Sequence, residues 1–426
     1  MASNTSNPKS SKPRKLIICF DGTSGEYDED ITNVVKLYGL LRKDEEEQLC
    51  LYEPGVGTGF SPGVVSPLFE WCAKVLDLAI AWRASILYSP IYSHINLEQN
   101  YRAGDKICIF GFSRGAYTAR ALAGFLFKIG LLMKDNEANI PFAYRLYKRE
   151  DRTGLELCSG FKNTYCQNVK VEFMGVWDTV ASVGLVMRRT LPFTNSNESI
   201  KTFRHALSLD ERRAKFRPNH YHRPAPNENA ASRDPESASP IFCLPLPSHS
   251  SNSSTEQSES ETDSDKRSEP EYKYKPEKTG YFGFIGKRSK IRKTHAPTVV
   301  EEEAGKIDDV LEVWFAGCHS DVGGGSVPNG TVHSLANISL RWMIRETIAS
   351  GCGIKFDDAA LKRNQIDLNS DCTMQDKLEA VQPVYDPLKL NIFWWLLEII
   401  PLHYSWQDEK GVWHKTWSFH LATDEL

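Results

Sequence analysis

Short apolar runs, each closed by glycine or a polar cluster, alternate in the N-terminal part of the chain with segments whose apolar residues recur at helical spacing. Leu16 to Phe20 reads as a buried strand ending in the tight loop Asp21-Gly22-Thr23-Ser24-Gly25. Asn33 to Leu41 is helical in pattern, Leu49 to Tyr52 reads as a second strand, Glu53 to Gly59 as a loop, and Phe69 to Leu87 as a helix with a broad apolar face. Lys106 to Phe110 predicts a third strand, which leads through Gly111 into an Ala-rich helix up to Leu126. This alternation predicts an α/β fold with a mostly parallel sheet and helices on both faces, to which Val169 to Val176 and Leu311 to Ala316 add two more runs. Ligands of such open sheets sit beyond the carboxyl ends of the strands. Asp21, Ser113, Asp178 and His319, each just past an apolar run, are therefore candidates to meet in one crevice.

The pattern fails from about Arg223 to Gly305, where Pro, Ser, Glu and Asn dominate and a Ser/Glu/Asp tract runs from His249 to Glu269. Such composition buries too little apolar surface to offset chain entropy, so a mostly disordered polar insertion is expected. Its basic cluster, Lys287 to Lys293, fits a nuclear address or an anionic-lipid contact, although a solvated surface run is the simpler reading. Towards the C-terminus, Pro383 to Leu426 holds Trp394, Trp395, Trp406, Trp413 and Trp417 among aliphatic residues. A helical, Trp-rich segment is expected there, either completing the core or forming a cap or interfacial helix around Leu390 to Ile400.

At 426 residues with 41% hydrophobic and 25% charged content, the chain as a whole is globular, which excludes a fibrous or membrane-embedded protein. A net charge of −4 provides no global field for nucleic acid, so no nucleic-acid partner is expected. The ten cysteines contain no CxxC pair, which argues against a structural zinc or a disulfide framework and for a reducing compartment. Met1 to Lys15 lacks the apolar core of an export signal, and no apolar run is long enough to span a bilayer. A cytoplasmic protein, with peripheral membrane contact if its substrate is a lipid, is the expectation.

Chemistry enters at Gly111-Phe112-Ser113-Arg114-Gly115, a G-x-S-x-G with an apolar strand directly before it and a helix directly after it. A nucleophile elbow needs that context, because glycines at 111 and 115 let strand and helix approach closely enough to hold the serine on a sharp turn. A serine hydroxyl is a poor nucleophile at neutral pH and requires an imidazole base oriented by a carboxylate. His319, in Gly317-Cys318-His319-Ser320-Asp321-Val322-Gly323-Gly324-Gly325, follows a strand-like run and is flanked by glycines that free the backbone to place its ring. Asp178, at the end of the fourth run, is the candidate acid. Asp321 is its nearest rival, although two residues from His319 it is more naturally a loop-stabilising carboxylate. An oxyanion hole needs two backbone donors, one from Arg114 and one from the loop after an earlier strand, which falls at Gly22 or Thr23. Asp21 reads as a turn residue that accepts hydrogen bonds from the amides after it. The proposed chemistry requires neither cofactor nor metal.

Taken together, Cys19-Phe20-Asp21-Gly22-Thr23, Thr32-Asn33-Val34, Gly55-Val56-Gly57-Thr58, the segment Gly111 to Arg120, Gly175-Val176-Trp177-Asp178-Thr179-Val180 and His319-Ser320-Asp321-Val322-Gly323-Gly324 occur in one order. The chain thereby resembles an uncharacterised α/β-hydrolase domain family related to the phospholipase effectors of bacterial type VI secretion, over about Lys15 to Pro224 and Ile307 to Arg345. The resemblance implies a serine esterase with Ser113 as nucleophile, Asp178 and His319 as partners, and lipid or phospholipid esters as substrates. Its expected organisation is a tail at 1–14, the first part of the catalytic domain at 15–223, the insertion at 224–306, the last catalytic strand and helix at 307–350, and a C-terminal cap or core-completing segment at 351–426.

Two other readings compete. Phe20-Asp21-Gly22-Thr23 is superficially similar to the D-x-D-G-T loop of metal-dependent phosphohydrolases, but position 19 holds a cysteine where that chemistry needs its nucleophilic aspartate. A non-catalytic interaction protein on a hydrolase fold is the second, and the intact set of nucleophile, base and acid argues against it.

Overall fold

The computed structural model describes residues 13–22, 29–44, 46–55, 93–149, 151–180, 199–221, 309–367, 373–390, 393–398, 402–407 and 413–418. Thr23, the helix expected at Phe69 to Leu87, and the insertion with its basic cluster lie outside the described residues. In chain order the elements are β1 (Lys15–Phe20), α1 (Asn33–Leu40), β2 (Gln48–Glu53), α2 (93–100), β3 (Lys106–Phe112), α3 (Arg114–Lys128), β4 (Leu131–Leu132), α4 (Ile140–Tyr147), α5 (Arg152–Tyr165), β5 (Cys166–Gln167), β6 (Val171–Trp177), β7 (Thr202–Ser208) and β8 (Asp309–Phe315). They are followed by α6 (His319–Gly323), α7 (Leu335–Ala349), α8 (Asp358–Arg363), α9 (Thr373–Ala380), α10 (Pro387–Leu390), α11 (Phe393–Glu398), β9 (Leu402–Gln407) and β10 (Trp413–Ser418).

Six strands form one sheet in the order β2-β1-β3-β6-β7-β8, and every pairing in it is parallel. Because successive side chains of a strand point to opposite faces, the apolar runs feed two cores at once. Ile17 and Cys19 of β1, with Cys108, Phe110 and Phe112 of β3, pack towards Val34, Leu37 and Leu40 of α1 and Leu340, Met343 and Ile344 of α7. Leu16, Ile18 and Phe20, with Ile107 and Ile109, pack on the opposite face against Ala116, Ala119, Leu122, Ala123 and Leu126 of α3. The alternation shifts once: Ile107 pairs with Val171 but Cys108 with Phe173, so Glu172 is an extra residue in β6. Its carboxylate receives Lys106 and Lys201 at 2.9 and 2.8 Å. From β1 the chain runs to β2 on one side and then returns to β3 on the other. The carboxyl ends of β1 and β3 thus flank the switch point where open α/β sheets bind ligands.

Two elements depart from the sequence-based expectation. Thr202 to Ser208 is a strand buried along its whole length, although Arg204 and His205 interrupt its apolar residues. Partners from elsewhere make that tolerable: Arg204 bonds Asp309 and Glu346, and His205 bonds Glu312. Among the described residues the C-terminal segment is helical through α11 and then holds the antiparallel pair β9–β10. Leu402-His403-Tyr404-Ser405-Trp406-Gln407 has the strict alternation of a strand, which outweighs the density of tryptophan as a guide to its structure.

Candidate active site

Backbone approach fixes the elbow. A Cβ on Gly111 would lie 2.7 Å from the carbonyl oxygen of Gly115 and 2.8 Å from the Cα of Ala116, and one on Gly115 would overlap the carbonyl oxygens of Phe20 and Asp21. With strand and helix so close, Ser113 takes φ 57 and ψ −122, a conformation that non-glycine residues adopt only where the surroundings enforce it. Its N–H donates to Trp177 O at 3.0 Å on β6, and its own carbonyl accepts from Tyr117 and Val180. The hydroxyl therefore stands at the N-terminus of the 15-residue helix α3 without capping it.

His319 opens α6 just beyond β8, and its ring bridges the other two candidates. Nε2 lies 2.8 Å from Ser113 Oγ, and Nδ1 lies 2.5 Å from Asp178 Oδ2. All three side chains are buried, Asp178 completely. Asp178 has φ 35 at the end of β6 and is held from β7: its N–H donates to Ala206 O at 2.7 Å, while its carboxylate accepts Ser208 N at 3.2 Å and Ser208 Oγ at 2.8 Å. The imidazole lies between aromatic rings, stacked on Phe112 at 4.6 Å and met edge-on by Phe216 at 4.9 Å. Phe112 reaches it because Gly323 has no side chain; a Cβ there would fall inside the Phe112 ring. The His319 N–H donates to Glu211 Oε2 at 3.2 Å, and Glu211 is in turn held by Arg213.

The other candidate residues surround this line. Asp321 Oδ2 accepts Cys318 N at 3.0 Å and Tyr385 N at 2.9 Å, so this carboxylate caps α6 and ties it to the C-terminal segment, and burial raises its pKa. Asp21 accepts Gly22 N at 2.7 Å, Thr32 Oγ1 at 2.8 Å and Tyr52 OH at 2.7 Å, as a turn-organising residue should. The Gly22 amide is consequently committed to its neighbour, although the residue lies beside Phe112 and Ser113. Arg114 contributes the first amide of α3, one of the helix donors that lack an intrahelical acceptor. The residue is partly exposed, but its guanidinium is buried with no ion pair among the described residues, and that desolvation lowers its pKa to about 10. Among the described residues no group of three or more His, Cys, Asp or Glu side chains is placed to hold a metal ion.

Sequence reasoning missed Phe112, Ser208, Glu211 and Phe216. Phe112 is the variable residue inside the motif, and the others follow or end a strand whose polar residues concealed it. Asn33, inside a motif named above but without an assigned role, donates to Val322 O at 3.0 Å, Ala336 O at 2.8 Å and Ser339 Oγ at 3.1 Å, binding α1 to α6 and α7.

A six-stranded parallel sheet flanked by helices, with Ser113, His319 and Asp178 hydrogen-bonded in one line beyond its carboxyl edge, defines an α/β fold with a strand-end site. The chain belongs to the family described as T6SS, Phospholipase effector Tle1-like, catalytic domain, whose model matches residues 14–346. It is 28% identical over 529 residues to "Uncharacterized protein YEL023C" of Saccharomyces cerevisiae, an alignment covering 97% of this chain and 76% of the yeast protein. Two solved structures are similar at a TM-score of 0.41 each. One is an uncharacterized protein from Pseudomonas aeruginosa, at 15% identity and covering 89% of this chain. The other is the Tle1 effector bound to the VgrG spike from the Type 6 secretion system, at 12% identity and covering 97% of this chain and 92% of the effector. The chain spans about half the length of the Pseudomonas protein, at 52%.

Proposed function

We propose that the protein is a serine hydrolase of the α/β-hydrolase type that cleaves carboxylic esters of lipids, phospholipids among them, through an acyl-enzyme. The observation that carries this reading is the unbroken hydrogen-bonded line from Ser113 Oγ through His319 to Asp178. In the proposed mechanism His319 Nε2 takes the hydroxyl proton as Ser113 Oγ attacks the ester carbonyl, and Asp178 holds the opposite N–H and stabilises the imidazolium. The same proton then passes to the departing alcohol, and a water activated by His319 releases the acid and restores Ser113. The oxyanion would be met by the Arg114 amide and by a second backbone amide from the loop after β1, the place the sequence assigns to Gly22 or Thr23.

Family membership supports a lipid substrate. We take the enzyme to be cytoplasmic and in peripheral contact with membranes, for which the exposed apolar side chains of Met374 in α9 and Leu390 in α10, 72% and 65% exposed, are suited. The test is hydrolysis by the purified full-length protein of a panel of phospholipids and water-soluble short-chain esters, beside Ser113→Ala. Fatty-acid release by the wild type and its loss in the variant is the expected result. Equal turnover by both proteins would overturn the reading.

A further inference from the structure

A second histidine lies beneath the turn that presents Asp178. His205 on β7 is fully buried, with Nε2 3.0 Å from Thr179 N and Nδ1 2.8 Å from Glu312 Oε1 on β8. A backbone N–H can only donate, so Nε2 must offer a lone pair and the ring proton must sit on Nδ1, donated to the carboxylate. Thr179 immediately follows Asp178, whose φ of 35 is rare for aspartate and must be enforced from outside. The enforcing contacts come from three directions: Asp178 N to Ala206 O, Thr179 N to His205, and Asn219 N to Thr179 O at 2.9 Å.

Charges face His205 from each packed element. Burial disfavours its protonated form, as does Arg120 of α3, while Glu312 and Asp178 favour it; the net direction is down. Arg120 is itself held by His220 O at 2.9 Å. Glu312 also accepts Tyr221 N at 2.9 Å and lies 3.5 Å from His220 Nδ1. Burial works to raise Glu312, but the hydrogen bonds from His205 and His220 outweigh it and hold the carboxylate below its ordinary range.

We propose that His205 is a positioning residue: neutral and protonated on Nδ1, it accepts the Thr179 N–H and so holds the left-handed Asp178 turn that aims the carboxylate at His319. The proposal rests on the serine-hydrolase reading above. Protonation of His205 would set an imidazolium N–H against the Thr179 N–H and release the turn, so activity has a second acid-side dependence besides that of the base.

Two amides separate the contacts. In His205→Gln the side-chain carbonyl can stand where Nε2 stands and accept from Thr179. In His205→Asn the amide can reach Glu312 but not Thr179. On a soluble short-chain ester, with fold checked by circular dichroism and Tm, His205→Asn should lose about 100-fold in kcat, the scale of a 1 Å misplacement, with KM little changed. His205→Gln should lie at least about tenfold above it. The wild-type acid limb of log kcat should steepen to slope 2 at low pH, while that of His205→Gln stays at slope 1. Wild-type kcat in His205→Asn, or equal losses in both variants, would overturn the proposal.

A measurement on the wild type stands if neither variant folds. His94, whose ring nitrogen accepts Leu132 N at 3.3 Å, is lowered by burial to about 3. In the 15N spectrum of histidine-labelled protein at pH 5, His205 should therefore, like His94, be a neutral, Nδ1-protonated imidazole, recognised by coupling of its Nε2 across the hydrogen bond to the Thr179 amide nitrogen, and a His205 ring protonated on Nε2 would overturn the proposal. Ser113→Ala run in parallel keeps the two claims apart. If it retains hydrolysis, the hydrolase reading falls and the proposal with it. If it is inactive while His205→Asn turns over as wild type, only the positioning role falls.

Discussion

Asp178 and Asp321 are the same side chain with opposite assignments, and their hydrogen bonds decide between them. Asp178 faces the imidazole and is held in place by Ser208, whereas Asp321 accepts from the backbone amides of Cys318 and Tyr385 and from the Ser326 side chain. Asp178→Asn should lower kcat by about 10⁴-fold, because an amide cannot hold the productive tautomer. Asp321→Asn should keep more than a tenth of the activity, since a carbonyl oxygen in the place of Oδ2 still accepts from Cys318 and Tyr385. Stability carries its own sign. Burial raises the folded pKa of Asp321, so the wild-type carboxyl contributes most below its unfolded value near 3.9 and loses that contribution as pH rises through the folded value. The Tm of Asp321→Asn relative to wild type should therefore rise between pH 3.5 and 7, and a fall over that interval would refute the assignment of Asp321 as a buried cap.

At the scale of elements, the site is a strand-end assembly braced from the C-terminal segment. Phe216, in the connection after β7, meets His319 on one side and Trp394 of α11 at 5.5 Å on the other, and the Arg213 guanidinium covers its face at 3.5 Å. Glu398 of α11 accepts Ala214 N at 3.0 Å, fixing the same connection. Phe216→Ala should reduce kcat on soluble and vesicle substrates alike by about fivefold, equivalent to about 1 kcal/mol for an aromatic pair. Trp394→Ala, one ring further from the imidazole, should raise KM for phospholipid vesicles more than for a soluble ester. Identical effects of the two variants on both substrates would remove the distinction between ring support and lipid contact. What was legible beforehand follows from the range of the interactions. The elbow is local, so its glycines and flanking apolar runs identify it within ten residues. β7 was hidden because Arg204 and His205 look unburiable until Asp309, Glu312 and Glu346, more than 100 residues away in sequence, are seen beside them. For the same reason Ser208 and Glu211 gave no sign of supporting the site, whereas β9 carried an alternation that could have been read.

Across the whole molecule, β7 and β8 pair directly from Thr202 with Asp309 to Ser208 with Phe315, although residues 224–306 intervene in sequence. Lengthening a loop costs only slowly increasing entropy, so a sheet can tolerate so long an insertion between adjacent strands. Replacing residues 229–294 by a short Gly/Ser linker should leave Tm within a few degrees and preserve hydrolysis of a soluble ester, as read by thermal melts and initial rates. An insoluble or inactive product would make the insertion part of the catalytic domain. The central claim, that Ser113 is the nucleophile of a Ser-His-Asp triad, is tested most directly by reacting the full-length protein with a fluorophosphonate and locating the adduct by mass spectrometry. We expect a single phosphonylated residue, Ser113, with labelling about 10³-fold or more slower in His319→Ala, since members of a triad act as a unit. A labelled peptide that excludes Ser113, or unchanged labelling of His319→Ala, would contradict it.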